Sequence, residues 1–86
     1  MNDDNATQQA PITERQIGII KHALGLDLED KKSRNYFVAD EGSLDYLDCE
    51  NLVEMGMMTR WTRPWIYTYS VTPKGRKAFL SHIGER

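Results

Sequence analysis

Cationic and aromatic side chains alternate in a short segment that also contains the proline Pro64. The segment supplies Arg60, Trp61, Arg63 and Trp65. Guanidinium groups pair with phosphate or carboxylate oxygens, and indole rings stack on bases, cations and apolar side chains. The pattern therefore predicts contact with a phosphate backbone, a minor groove or an acidic protein patch. The alternative, given equal weight, is that the two tryptophans brace a hairpin across its turn, which stabilises by about 0.2–1 kcal/mol.

Carboxylates dominate the segment from position 43 to position 56, which precedes these residues. It contains Asp45, Asp48, Glu50 and Glu54, and it has no Lys or Arg. A helix that reads the major groove of DNA approaches a dense row of phosphates, so this charge opposes standard docking. We interpret the segment as a solvated acidic face, with an acidic docking site as the less favoured alternative.

Residue types that support catalysis are present, but their spacing is not that of a catalytic or metal site. Neighbouring carboxylates fall in polar segments, whereas acid–base catalysis needs a shaped and partly dry pocket. His22 and His82 are far apart in sequence and belong to no metal-ligand motif. Cys49 has no basic neighbour in sequence that would lower its thiol pKa, so it is predicted to be a small core residue. We therefore predict that the chain is not an enzyme and holds neither metal nor cofactor.

Length and composition predict one small domain. The chain has 86 residues, of which 40% are hydrophobic and 28% are charged, so its core cannot enclose a large active site. No apolar run approaches the roughly 18 residues of a membrane span, and the polar N-terminus has no signal-peptide core. The single cysteine fits reducing surroundings. These features predict a cytoplasmic location and no membrane partner.

Charge is distributed unevenly along the chain. Residues 1–57 contain twelve acidic and five basic residues, which gives −7, whereas residues 58–86 contain one acidic and six basic residues, which gives +5. An anionic partner is therefore expected to meet the C-terminal part. Within that part, Lys74, Arg76 and Lys77 are further candidate contacts.

The N-terminal region predicts an arm followed by a helix. Residues 1–11 are polar and lack apolar periodicity, which predicts a flexible arm ahead of a single domain over residues 12–86. Thr13 and Gln16 have the spacing of a capping box, so a helix is expected to begin there. Gly25 is a natural stop for that helix.

The middle of the chain predicts a loop, a strand and a second helical segment. Residues 26–34 are mostly charged and predict a loop, whereas residues 36–38 are β-prone and predict a short strand. Ser43 is a suitable N-cap, and the apolar pattern that follows it ends at Gly56. Because Asp48 is an equally good cap, the sequence leaves open whether this segment forms one helix or two.

The C-terminal third predicts a β-hairpin and a last helix. The strands are expected over residues 57–61 and 65–71, with the turn over residues 62–64. Thr72 caps the last helix, and Pro73 suits its first position because the missing N–H is not needed there. One face of the second strand is predicted to carry Tyr67, Tyr69 and Val71. The predicted core includes Leu24, Leu52 and Phe79.

This order of helix, hairpin wing and helix resembles the winged-helix domains of MarR-type and PadR-type regulators. The resemblance covers residues 44–83 and is carried by Leu-Val-x-Met-Gly-Met-Met-x-Arg at 52–60 and Val-Thr-Pro-Lys-Gly-Arg at 71–76. It implies a scaffold that binds and does not catalyse. The chain departs from the regulators in two ways. A polar loop and a strand replace their second helix, and the helix in the recognition position is acidic.

A second resemblance is to small phage and prophage proteins. It links His-Ala-Leu-Gly-Leu-Asp at 22–27 with Arg-Asn-Tyr-Phe-Val at 34–38. It implies an origin in a mobile element and assigns no activity.

Together these features predict an α+β, winged-helix-like domain with the order helix, short strand, helix, hairpin wing, helix. We expect a non-catalytic module that binds another protein, using the aromatic and basic wing and the acidic helix as opposed contact surfaces. The alternative is a DNA-binding regulator that contacts the phosphate backbone or the minor groove through the wing and the last helix. Oligomeric state is left open. The candidate binding residues are Arg60, Trp61, Arg63, Trp65, Lys74, Arg76 and Lys77.

Overall fold

The computed structural model describes residues 12–26, 34–63 and 66–84. These residues form three helices and one antiparallel sheet of three strands. The order helix, strand, helix, hairpin, helix confirms the predicted α+β fold and is compatible with a winged-helix-like layout. The predicted arm and most of the predicted loop lie outside the described residues. The elements are α1 (Glu14–Ala23), β1 (Phe37–Ala39), α2 (Leu44–Glu54), β2 (Met58–Arg63), β3 (Ile66–Val71) and α3 (Pro73–Gly84).

Helix α1 begins and ends where its capping residues predict. The Thr13 hydroxyl accepts a hydrogen bond from the Gln16 backbone N–H at 3.1 Å, and the Gln16 side chain accepts one from the Thr13 N–H at 3.0 Å. This reciprocal pair satisfies two N–H groups that a helix start leaves without partners. Beyond the C-terminal end, Gly25 takes a positive φ of 76°, which stops the helix.

The acidic segment forms one continuous helix, α2, so the open question of one helix or two is answered. The Ser43 hydroxyl accepts from the Tyr46 N–H at 3.1 Å, which confirms the predicted cap. Cys49 and Leu52 lie on the buried side of α2. Leu44 and Leu47, although they belong to its apolar pattern, are both more than half exposed.

Strand β3 is the centre of the sheet. It pairs with β1 on one side and with β2 on the other, so the short strand pairs with the wing. The predicted hairpin turn was placed too early. Because Arg63 pairs with Ile66, strand β2 continues through Thr62 and Arg63 instead of ending at Trp61. The two residues between these strands lie outside the described part of the chain.

The core lies between the helices and the inner face of the sheet. Leu24, Leu52 and Phe79 are buried, as predicted. Tyr69 and Val71, which alternation places on one face of β3, are also buried, and Tyr67 on the same face is partly buried.

Helix α3 is fastened to the junction between α2 and β2. The Thr72 hydroxyl donates to the Gly56 carbonyl at 2.7 Å and accepts from the Gly75 N–H at 3.0 Å. A Cβ at Gly75 would stand 2.1 Å from the Met57 carbonyl oxygen, so a side chain has no room there. Glycine at position 75 therefore permits the close approach of helix and junction.

Candidate binding surface

The carboxylates of α2 are largely occupied by cations from neighbouring elements. The Arg15 Nε of α1 donates to Asp48 Oδ2 at 2.7 Å, and Arg15 Nη2 lies 3.3 Å from Asp45 Oδ1. The Arg60 guanidinium of β2 pairs with Glu50. The face is exposed, as the sequence interpretation expects, with the Asp45 side chain 52% exposed, but the fold also supplies these three carboxylates with partners that are distant in sequence.

Glu50 is the centre of a small polar cluster behind the wing. Tyr69 Oη donates to Glu50 Oε2 at 2.6 Å, and Arg60 donates to the other carboxylate oxygen. Partial burial raises the pKa of Glu50, but the hydrogen bonds from Tyr69 and Arg60 outweigh burial, so its pKa is lowered. Burial and the contact with Glu50 both raise the pKa of Tyr69. Arg60 thus joins wing to helix, and the two are adjoining surfaces instead of opposed ones.

The sheet presents an exposed apolar face on the side away from Tyr69. Alternation and strand register place Val38, Thr68 and Trp61 side by side across the three strands, with Ile66 and Arg63 paired next to them. Trp61 is 57% exposed, Val38 53% and Ile66 45%. We call these five residues the outer sheet face. Large apolar side chains exposed together on one face are the feature expected of a contact surface.

Arg63 and Trp61 are in contact on this face. The Arg63 guanidinium carbon lies 4.6 Å from the centroid of the Trp61 ring, which is a cation–π contact. Arg63 forms no ion pair with any other residue that the structure describes. Both residues were candidates from sequence, and the structure brings them together. Trp65 lies outside the described residues.

The three candidate cations of α3 lie at two separate sites. Lys74 extends over the end of α2, where its Cδ and Nζ would lie 3.6 and 3.7 Å from a Cβ at Gly56. A cation at a helix C-terminus is favourable because the backbone carbonyls there carry partial negative charge. Arg76 and Lys77 are exposed and line a groove with Leu80.

Sequence reasoning did not name Val38 or Ile66, the aliphatic members of the outer sheet face. Alternation puts Ile66 on the face of its strand opposite Tyr69, but Val38 stands 28 positions earlier in the chain. Only the strand order, with β3 between β1 and β2, places the two on one surface. The signal available in the sequence was that Val38 and Ile66 are large hydrophobic residues in two predicted strands.

Cys49 is buried, as predicted, and burial together with the nearby carboxylates of α2 raises its thiol pKa to about 12. No group of three His, Cys, Asp or Glu side chains in residues 12–26, 34–63 and 66–84 is placed to share a metal ion. Among those residues, no helix has the length and apolar character needed to cross a membrane.

Comparison of the chain with models of protein families, with curated proteins and with solved structures finds no match. The resemblance to winged-helix regulators therefore stays a prediction that rests on the motifs and on the layout of the elements.

Proposed function

We propose that this chain is a non-catalytic module that binds another protein through the outer sheet face. The observation that carries the proposal is the joint exposure of Val38, Trp61 and Ile66 on one side of the sheet. Tryptophan and arginine are the side chains most enriched at the energetic centres of protein interfaces. The stacked pair of Trp61 and Arg63 offers both, with one apolar surface and one set of directed N–H donors.

Preorganisation supports this proposal. Holding a rotamer-rich side chain in its bound conformation before the partner arrives reduces the entropy lost on association. Here Arg63 is stacked on the indole, and both residues lie on a strand that is hydrogen-bonded to β3. A partner would therefore meet a surface that is already arranged.

Affinity capture from the native cell extract tests the proposal with two matched variants. Val38→Ser with Ile66→Ser removes apolar surface from the outer sheet face. Leu44→Ser with Leu47→Ser removes comparable exposed surface from α2. We expect a partner that the parent protein and the α2 variant retain in equal amounts and that the sheet variant loses. Loss with the α2 variant alone would move the binding surface to that helix.

A DNA-binding regulator is the second candidate, and one observation favours it. Arg15 and Arg60 neutralise carboxylates of α2, which weakens the electrostatic objection to DNA at that helix. Arg60, however, is then engaged with Glu50 and contributes less to phosphate binding. If the remaining cations contact phosphates, affinity should fall by roughly 0.9 log unit per log unit of salt for each phosphate neutralised.

Titration of a mixed-sequence duplex at two salt concentrations separates the two candidates. We expect weak and strongly salt-dependent binding, because few cations are available on the described surface. Nanomolar, sequence-selective binding at physiological salt would overturn the protein-binding proposal. A role in a phage or prophage remains a prediction from the resemblance alone, and the genes that neighbour the coding sequence would check it.

A further inference from the structure

A second surface lies where β3 passes into α3. A groove of about 480 Å³ is lined there by Asn35, Val71, Pro73, Arg76, Lys77 and Leu80. Its floor is apolar, and Leu80 is 53% exposed although it belongs to the helix next to the core. None of the residues that line the groove belongs to the outer sheet face, and alternation along β3 turns Val71 to the opposite side of the sheet from Thr68 and Ile66. The groove is therefore a different surface from the outer sheet face.

The charged side chains that line this groove are both positive. Arg76 and Lys77 line it, no carboxylate does, and neither cation forms an ion pair with another described residue. The groove of about 500 Å³ between α1 and α3 differs, because it is lined by both Glu14 and Lys21. A groove with one sign of charge attracts a ligand of the opposite sign, whereas a balanced groove does not.

Asn35 gives the groove a fixed wall. Its side-chain amide donates to the Val71 carbonyl at 3.0 Å and accepts from the Val71 N–H at 2.7 Å. The Asn35 carbonyl also accepts from the Ser70 hydroxyl at 3.1 Å. These bonds hold the chain before β1 against the end of β3. Because the wall is in place without a ligand, binding need not order it.

We propose that this groove binds an acidic peptide segment of a partner protein. An apolar side chain of the segment covers Leu80 and the floor beside Pro73, and flanking carboxylates pair with Arg76 and Lys77. The apolar floor favours a peptide over a nucleic acid, since a phosphate backbone would satisfy the cations and leave the floor exposed to water. This contact goes beyond the proposed function, which uses a different surface.

A blocked peptide with two leucines flanked by glutamates is the probe. Titration of the ¹⁵N-labelled full chain, followed by amide chemical shifts, should show changes concentrated at residues 76, 77 and 80. The peptide with glutamine in place of glutamate, and the peptide with serine in place of leucine, should each bind about tenfold more weakly. Equal binding of either control peptide, or shifts elsewhere in the chain, would overturn the proposal.

Two double variants separate a local contact from a general effect of charge. Arg76→Ser with Lys77→Ser should weaken binding of the acidic peptide about tenfold, because both carboxylate partners are lost. Lys21→Ser with Lys32→Ser removes the same charge from positions that belong neither to the lining of the groove nor to the outer sheet face, and should leave the affinity within about twofold. Equal loss in both would show long-range attraction only, and the proposal would be wrong.

Leu80→Ser tests the apolar floor without changing the charge. It should weaken the acidic peptide about tenfold and leave the binding of a mixed-sequence duplex unchanged. A duplex that competes with the peptide and binds more tightly, with the same amides shifted, would assign the groove to nucleic acid. Without peptide, each groove variant should keep the spread of amide chemical shifts of the parent protein, because the substituted side chains are exposed and the fold is unchanged. None of these outcomes depends on the outer sheet face, so the two proposals fail separately.

Discussion

Helix α2 carries carboxylates and helix α3 carries cations, but the two helices use their charges differently. On α2, Asp48 accepts from Arg15 of α1, and Glu50 accepts from Tyr69 and Arg60 of the sheet. On α3, Arg76 and Lys77 pair with no other residue in the described part of the chain. The acidic charge is mostly used to join elements, whereas the basic charge is left at the surface. Counting charges along the sequence shows the asymmetry but not this division of roles.

The largest expected loss of stability is on the buried side of α2, and the exposed side of the same helix provides the control. Leu52→Ala should lower the free energy of unfolding by about 2–5 kcal/mol, because the side chain is fully buried and a cavity remains. Leu47→Ala, on the exposed side, should change it by no more than about 0.5 kcal/mol. Urea denaturation followed by circular dichroism measures both. Similar losses would mean that the exposed side of α2 is covered in solution.

Removing the Tyr69 hydroxyl tests how much its hydrogen bond to the paired carboxylate of Glu50 stabilises the fold. Tyr69→Phe deletes a hydrogen bond to the Glu50 carboxylate and should cost about 1.5–3 kcal/mol, the range for bonds to charged groups. Tyr36→Phe is the matched control, since that ring is half exposed and its change should stay within about 0.5 kcal/mol. Thermal unfolding of the three proteins supplies the comparison. An unaffected Tyr69→Phe protein would show that water replaces the hydroxyl.

The pH dependence of stability should report on Glu50. Its pKa is lowered in the folded protein from an ordinary value of 4.5, so the folded state favours the ionised form. The resulting stabilisation is present above the ordinary value and is lost as pH falls through the folded pKa. The free energy of unfolding, measured from about pH 6 down to pH 3, should therefore depend less on pH in Glu50→Gln than in the parent protein. Parallel curves would mean that other carboxylates account for the acid response.

The smallest expected change in stability is at Arg63. Arg63→Ala should alter the free energy of unfolding by no more than about 0.5 kcal/mol, because the residue is exposed and pairs with no described carboxylate. Arg60→Ala should cost more, because it leaves Glu50 without its cation. Once a partner is identified, Arg63→Ala should also weaken binding measurably in a calorimetric titration. If Arg63→Ala unfolds the domain or binds the partner as tightly as the parent protein, Arg63 is a structural brace.

Local chemistry was predictable from the sequence. The capping pair Thr13 and Gln16, the stop at Gly25 and the face that Tyr69 and Val71 share on β3 each depend on residues a few positions apart. The sequence therefore carries all the information that those features need. The elements and their order followed from the same short-range patterns.

Pairing across the fold was not predictable. Arg15 and Asp48 are 33 positions apart, and a solvated carboxylate and a paired one have the same sequence neighbourhood. The exposure of Leu44 and Leu47 was also hidden, because the apolar residues of α2 do not follow a single stripe. The end of β2 was missed because turn residues were judged by type, while the register with β3 decides where pairing stops.

The buried thiol of Cys49 makes the chain convenient for chemical labelling. It is the only cysteine, it is shielded from solvent, and its pKa of about 12 keeps it protonated at neutral pH. Alkylating reagents act on exposed thiolates, so the native residue should react slowly in the folded protein. A cysteine introduced at position 66 or at position 80 would then be modified selectively. A fluorophore or a crosslinker can thus be placed on either surface without replacing any native residue of the core.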